Sequence, residues 1–229
     1  MCSGNTLMLL KATNYGILLI TLIASGCSSQ QPQLDNKTTS SDAMSEEVVS
    51  SSDSKKFQPF YVYQDKHSRN RFTPSGYMPN GECLDLDDGW QYDPKEGKTS
   101  IRIVFDVVCS RESRKWAGIY WQNPPDNWGS RKGGYDLSGA SRLVFWAKGE
   151  LGGERIEEFR MGGIGQGQDY PDSDSAAIGP VILTKEWKLY SIDLRGRDLS
   201  YISGGFAWSA NVQFNPHHCT FYLDDIHFE

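Results

Sequence analysis

Apolar and polar residues alternate along short stretches of the chain from residue 59 to its end. Successive side chains of a β-strand point to opposite faces, so this period of two predicts strands with one buried face. Clusters of Gly, Pro, Asn and Asp separate the stretches, which is typical of a β-sandwich or barrel. No run of ten or more residues in this region has a helical period. The predicted strands are 59–63, 82–86, 99–108, 117–122, 142–148, 156–161, 177–183, 187–193, 204–210 and 220–228.

The same alternation assigns side chains to faces. Three apolar sets are expected between two sheets: Ala117, Ile119 and Trp121; Leu143, Phe145 and Ala147; and Phe159 with Met161. The opposite face should then carry Tyr120, Gln122, Trp146, Lys148, Glu158 and Arg160. Aromatic side chains exposed among hydrogen-bonding groups usually mark a contact surface, so this face is the predicted binding face.

Three segments of the chain carry a resemblance to a known group of proteins. YDLSGASRLVFWAKGE at 135–150 and EWKLYSIDL at 186–194 resemble strands of jelly-roll carbohydrate-binding modules. TFYLDDIHF at 220–228 resembles the final strand of the galactose-binding-like superfamily. The resemblance implies an all-β jelly-roll sandwich of two antiparallel sheets, and a non-catalytic domain that binds polysaccharide or oligosaccharide.

Sugar recognition needs flat aromatic faces together with planar hydrogen-bonding groups. The loop 121–135 is rich in both, and Pro124-Pro125 stiffens it. The predicted carbohydrate-binding residues are Tyr120, Gln122, Trp128, Trp146, Arg160, Trp208 and Asn211. For each aromatic residue the alternative is packing in the core or within a loop.

The resemblance also implies a structural calcium ion that joins the first and last strands. A carboxylate of the final strand ligates it in such modules, which corresponds to Asp224, with Asp225 and Asp65 as further candidate ligands. Calcium prefers several oxygen ligands, and these carboxylates would supply them. Alternatively, the carboxylates accept hydrogen bonds from backbone amides at a sheet edge.

Cysteine is sparse in the domain, which contains Cys83, Cys109 and Cys219. Cys83 and Cys109 are equidistant from position 96, inside the turn-like segment 93–97. If 84–90 and 100–108 pair around that turn, the two sulfurs face each other and can form a disulfide in an oxidising compartment. Cys219 would then be a buried free thiol.

The N-terminal part of the chain predicts export. Lys11, a short apolar run and the small residues 24–26 are typical of a secretory signal, and Cys27 follows as in the bacterial lipobox. Acyl chains on Cys27 would anchor the protein to the lipid bilayer of the bacterial cell envelope, with the outer membrane favoured. The expected organisation is a signal peptide at 1–26, the lipidated cysteine and a disordered linker at 27–56, and one domain at 57–229.

Charge and the pattern of carboxylates limit the function. The chain has a formal charge of −6, of which residues 57–229 carry −5, and this acidity argues against nucleic acid as a partner. A glycosidase needs two carboxylates across the scissile bond. Glu157 and Glu158 are neighbours on opposite faces, so they cannot form such a pair, and the domain is predicted to be a non-enzyme. A separate glycan-active enzyme is a candidate partner. Two alternatives stay open, a protein–protein assembly role in the envelope and a cryptic polysaccharide-degrading enzyme.

Overall fold

The computed structural model describes residues 56–79, 81–111 and 115–229. The predicted signal peptide, the predicted anchor Cys27 and residues 28–55 of the predicted linker lie outside the described residues. Among the helices of the described part, none is long and apolar enough to cross a membrane.

The described chain folds into two antiparallel sheets of six strands each, which confirms the predicted all-β jelly-roll sandwich. Sheet I has the order β10-β6-β12-β4-β3, with β1 also paired to β12. Sheet II has the order β2-β5-β11-β7-β8, with β9 also paired to β7. The elements are β1 (Phe60–Tyr63), β2 (Thr73–Met78), β3 (Leu84–Trp90), β4 (Ser100–Phe105), α1 (Val107–Arg111), β5 (Trp116–Gln122), β6 (Arg142–Gly149), β7 (Arg155–Gly162), β8 (Ser175–Ile178), β9 (Val181–Ile182), β10 (Lys188–Asp193), β11 (Gly204–Asn211) and β12 (Thr220–Phe228).

The structure differs from the predicted strands at three places. Strand β2 was not predicted, because Pro74 and Gly76 interrupt its alternation. The predicted strand 177–183 is two strands, β8 and β9, which are separated by Gly179 and Pro180. The predicted strand 99–108 ends at Phe105, and the short helix α1 follows it. Asp106 starts this helix, because its Oδ1 accepts hydrogen bonds from the backbone N–H groups of residues 108 (2.9 Å) and 109 (3.0 Å).

The core lies between the sheets and contains all three apolar sets that the alternation predicts. Its centre is aromatic. The ring of Phe145 on β6 lies 4.7 Å from that of Phe159 on β7 and 5.1 Å from that of Phe206 on β11. The inward assignment of β5, β6 and β7 is therefore confirmed.

The predicted disulfide between Cys83 and Cys109 is present. Its geometry differs from the simple hairpin, because Leu84 pairs with Phe105 and the register therefore places residue 106 opposite Cys83. Helix α1 carries Cys109 to its partner. The bond thus joins the start of β3 to α1 rather than two facing strands.

Cys219 is buried, as predicted, and it is a free cysteine. Burial raises the pKa of its thiol to about 12, and the nearby Glu154 adds to the rise. Because the thiolate is the reactive form, the thiol should be inert in the native protein.

We therefore expect iodoacetamide at pH 8 to leave Cys219 unmodified in the folded protein and to modify it after denaturation. Peptide mapping by mass spectrometry checks this residue separately from the other cysteines of the chain. Equal labelling rates with and without denaturant would contradict the burial of this thiol.

Candidate binding groove on the outer face of sheet II

The outer face of sheet II carries an open groove of about 230 Å³. Residues that pair across antiparallel strands share a face of the sheet, so the register defines which side chains meet there. One row of paired residues is Met78, Gly118, Ser209 and Glu158. The next row is Gly76, Tyr120, Ala207 and Arg160.

The floor of the groove consists of small residues. A Cβ atom added to Gly118 would lie 2.4 Å from the backbone oxygen of Trp208 and 3.0 Å from the Met78 side chain. Such a contact is shorter than van der Waals distance, so position 118 accepts no larger residue without a shift of the strand. Ala207 and Ser209, two small residues of β11, line the groove itself, and Gly118 lets Met78 and β11 pack closely beside them.

Two half-exposed tryptophans lie at or beside this groove. Trp116 begins β5, lines the groove and is 36% exposed. Tyr120, also a lining residue, stands about 13 Å further along the strand. Trp128, in the loop after β5, is 42% exposed, and its ring meets that of Tyr120 edge-on with 5.8 Å between centroids. The groove therefore has one exposed indole in its lining and a second against the buried phenol of Tyr120.

Polar groups line the side of the groove that β7 forms. The guanidinium of Arg160 makes an ion pair with the carboxylate of Glu158, and both side chains are about one-third exposed. Tyr120 donates its hydroxyl to the backbone oxygen of Gly162 at 3.0 Å. Burial raises the pKa of Tyr120 to about 12, which keeps the phenol neutral at ordinary pH. The two charges cancel, so the groove offers hydrogen-bonding groups without net charge.

A buried asparagine fixes the loop that carries Trp128. Asn127 is fully buried, and its Oδ1 accepts hydrogen bonds from the N–H groups of Gly129 (3.2 Å) and Arg131 (3.1 Å). Its Nδ2 donates to the backbone oxygen of Arg131 at 2.8 Å. Gln122 Nε2 donates to the backbone oxygen of Asn127 at 3.1 Å. These four hydrogen bonds fix the backbone on both sides of Trp128.

The neighbouring loop, residues 163–174, supports the same rim. Asp172 accepts hydrogen bonds from the N–H groups of Ile164 (3.0 Å) and Gly204 (3.2 Å) and from the hydroxyl of Ser203 (2.6 Å). Burial raises the pKa of this carboxyl despite these bonds. The backbone N–H of residue 170 donates to the backbone oxygen of Gly129 at 3.0 Å, so the two loops are joined.

The structure brings together three of the predicted binding residues: Tyr120, Trp128 and Arg160 all lie at the groove or its rim. Gln122 is fully buried and shapes the Trp128 loop instead of facing solvent. Asn211 pairs with Trp116 at the end of β11, and its Oδ1 accepts the backbone N–H of Gln213 at 2.7 Å. Its carboxamide oxygen therefore stabilises the turn that follows β11.

The prediction for Trp208 is wrong. This residue pairs with Ile119 and Phe159, which face the core, and it is 1% exposed. Its ring packs against Phe221 of sheet I with 4.8 Å between centroids. The physical reason is the alternation of β11, which points Trp208 inward together with Phe206.

Trp146 also lies away from the groove. It faces outward as predicted, but β6 belongs to sheet I, so its side chain is on the opposite side of the sandwich. The ammonium of Lys95 lies 4.3 Å from the centre of its ring. Lys148, on the same face, pairs with Asp93 and lies about 5 Å from the rings of Trp187 and Tyr222. The side chains that were predicted to share one binding face therefore lie on the outer faces of two different sheets.

Four groove residues were not predicted, namely Met78, Trp116, Ala207 and Ser209. A signal for Trp116 existed, because it stands two and four residues before Gly118 and Tyr120 and therefore shares their face. Met78 lies on β2, the strand that was not predicted. Ser209 follows from the alternation of β11 once Phe206 is placed in the core.

The predicted calcium ligands have other partners. Within the described ranges, no group of three or more His, Cys, Asp or Glu side chains could hold a metal ion. Asp224 Oδ2 accepts hydrogen bonds from the N–H groups of Lys95 and Glu96, and Asp65 Oδ1 accepts them from Lys98 and Thr99. Burial raises the pKa of Asp224 to about 6. Amide hydrogens directed at these oxygens do not fit a cation, and calcium binding stays a prediction.

Comparisons with known proteins give similarities of fold. No family model and no curated protein matches the chain. Among solved structures 25 chains match. The family 30 carbohydrate-binding module of cellulosomal cellulase Cel9D-Cel44B of Clostridium thermocellum has 18% identity and a TM-score of 0.48, covering 75% of this chain and 97% of that one. A family 29 carbohydrate-binding module from Piromyces equi has 14% identity and a TM-score of 0.34, covering 69% and 86%. An agarase, AgWH50C, has 12% identity and a TM-score of 0.46, covering 75% of this chain and 24% of that one.

The two tryptophans Trp208 and Trp128 should respond differently to truncation. Trp208→Ala removes a fully buried indole and should lower the free energy of unfolding by about 3–5 kcal/mol. Trp128→Ala removes a half-exposed ring and should cost about 1 kcal/mol or less. Urea unfolding of both variants measures the difference. Equal losses of stability would contradict the inward placement of Trp208.

Proposed function

We propose that the domain binds carbohydrate, without catalysis, in the groove on the outer face of sheet II. The observation that carries this proposal is an open groove lined by the half-exposed Trp116 and by Tyr120, with the half-exposed ring of Trp128 against Tyr120. The Arg160–Glu158 pair of the same groove supplies donors and acceptors. The sequence motifs at 135–150 and 186–194, which resemble strands of jelly-roll carbohydrate-binding modules, support the same function.

Each part of the groove matches one feature of a sugar. The flat faces of the indoles pack against the apolar C–H groups of a pyranose ring, and burial of this surface drives binding. Arg160, Glu158 and the hydroxyl of Ser209 hydrogen-bond the ring hydroxyls. The floor of the groove lets a sugar chain lie close to the sheet, because Ala207 and Ser209 have small side chains.

The carboxylates support a binding role rather than hydrolysis. Hydrolysis of a glycosidic bond needs an acid and a base or nucleophile on the two sides of that bond. Among the described residues that line the groove, Glu158 is the carboxylic acid, and it is paired with Arg160. A binding protein uses this pair as a fixed hydrogen-bonding group.

We expect the purified protein to bind one or more glycans in a screen of plant, algal and bacterial polysaccharides. Trp116→Ala and Trp128→Ala should each weaken binding roughly 10- to 150-fold, since each removes about 1.5–3 kcal/mol of apolar burial. Arg160→Ala should weaken it as well. Isothermal titration calorimetry with the best glycan measures these changes.

The matched control is Tyr92→Ala. Tyr92 is an aromatic residue of the sheet I side and is 74% exposed, so its loss should leave both fold and glycan binding unchanged. Failure of a well-folded protein to bind any glycan would exclude the proposal and favour a protein partner. Binding that Tyr92→Ala abolishes, and that the groove variants retain, would move the site to sheet I.

We also propose that the chain is a lipoprotein of the bacterial cell envelope, anchored through Cys27, with the outer membrane as its location. The linker then holds the groove away from the bilayer, where a separate glycan-active enzyme can share the bound polysaccharide. The sequence motif around Cys27 supports this proposal.

Cells that express the protein and are fed an alkyne fatty acid should incorporate the label into it. Cys27→Ser should abolish the label and release the protein from the membrane fraction. Cys219→Ser is the control, because its buried thiol should have no part in acylation. Labelling that survives Cys27→Ser would contradict the anchor.

A further inference from the structure

Two carboxylates that the family resemblance suggests as calcium ligands accept hydrogen bonds from one segment of the chain, the β3–β4 turn at residues 91–99. Asp224 lies on β12 and Asp65 follows β1, so they approach the turn from the last and the first strand. A calcium ion would be expected to join these same strands. In this protein β1 and β12 are paired directly in sheet I, and the hydrogen bonds of the two carboxylates attach the turn to that pair.

Asp224 is fully buried and accepts hydrogen bonds from three backbone amides. Its Oδ2 accepts the backbone N–H groups of Lys95 at 2.7 Å and Glu96 at 3.0 Å. Its Oδ1 accepts the backbone N–H of Asp225 at 2.8 Å. Three amide donors thus surround one carboxylate in the interior.

Asp65 holds the other end of the turn. Its Oδ1 accepts the backbone N–H groups of Lys98 and Thr99, both at 2.8 Å, and the hydroxyl of Thr99 at 3.1 Å. A Cβ atom at Gly97 would lie 2.4 Å from Asp65 Oδ2. Gly97 also has a φ of +61°, so this position requires glycine on two grounds.

The rest of the turn lies against the outer face of sheet I. Lys95 lies over the ring of Trp146, and Asp93 pairs with Lys148. The backbone oxygen of Asp93 accepts the indole N–H of Trp187 at 3.1 Å. The turn is therefore fixed to the sheet along its length as well as at its two carboxylate contacts.

We propose that these two carboxylates and the backbone amides of the turn form an amide clamp, which fastens the β3–β4 turn to the paired strands β1 and β12 without a divalent cation. Calcium takes six to eight oxygen ligands at about 2.3–2.6 Å. In the clamp, amide hydrogens occupy the space before the carboxylate oxygens and supply the positive ends of dipoles there. A cation in the same place would be repelled by them. The clamp is independent of the groove and of the ligand proposed for it.

The test is thermal unfolding of the full chain at neutral pH, in excess chelator and in millimolar calcium. We expect the same Tm in both, because no ion contributes to the folded state. Asp224→Asn and Asp65→Asn should each lower the Tm by roughly 5–10 °C, since each presents an amide NH₂ to buried donors. The double variant should lose less than the sum, because both residues hold one turn.

Asp225→Asn is the matched control. Asp225 is adjacent to Asp224 and is a candidate calcium ligand, but its side chain contacts His227 rather than the turn. The clamp predicts almost no change in Tm for this variant in either condition. A calcium site would make Asp225→Asn sensitive to calcium.

Amide hydrogen exchange of the unsubstituted protein gives a second readout, which is independent of whether the variants fold. The N–H groups of Lys95, Glu96, Lys98 and Thr99 should stay protected in excess chelator. A chelator-induced fall in Tm that calcium reverses, or a chelator-induced loss of protection at these four amides, would overturn the clamp.

Discussion

The packing of aromatic rings between the two sheets is the contact on which the rest of the structure depends. Phe145 of sheet I meets Phe159 and Phe206 of sheet II, and stacked sheets of this kind lie about 10 Å apart. Every strand that crosses this region buries one of its two faces in the core. Ligand-binding side chains must therefore stand on the outer faces or on the loops at the rim, and the core holds them there rigidly.

The outer face of sheet I is covered by a turn and the outer face of sheet II is open, and the difference is one of side-chain size. On sheet I, Lys95 and Asp93 of the β3–β4 turn cover Trp146 and Lys148, so aromatic surface there is used to hold the turn. On sheet II the central positions are too small to fill the space above the strands. Ala207 and Ser209 leave the groove open, and this opening is what makes sheet II the candidate site.

Periodicity predicted which face of its own strand each residue takes, and this is why the inward sets on β5, β6 and β7 were predicted correctly. It could not predict which sheet a strand joins, because pairing between distant strands leaves no local signal. Trp146 and Tyr120 were therefore placed together although they lie on opposite sides. Trp208 was misplaced for a different reason: β11 alternates regularly from Phe206 to Ala210, but Trp208 was chosen as an aromatic contact without being assigned to the face that it shares with Phe206. The register of β3 and β4 similarly hid the role of α1 in bringing Cys109 to its partner.

The buried polar residues beside the groove explain how a loop can serve as a rigid platform. Asn127 and Gln122 are fully buried, which is costly unless every polar atom finds a partner. Here they bond the loop of Trp128 to β5, and Asp172 bonds the neighbouring loop to β11. A ring held this way loses little conformational entropy when a ligand stacks on it, so more of the stacking energy appears as affinity. The buried network therefore contributes to binding without touching the ligand, and Gln122, predicted as a contact residue, acts through the position of Trp128.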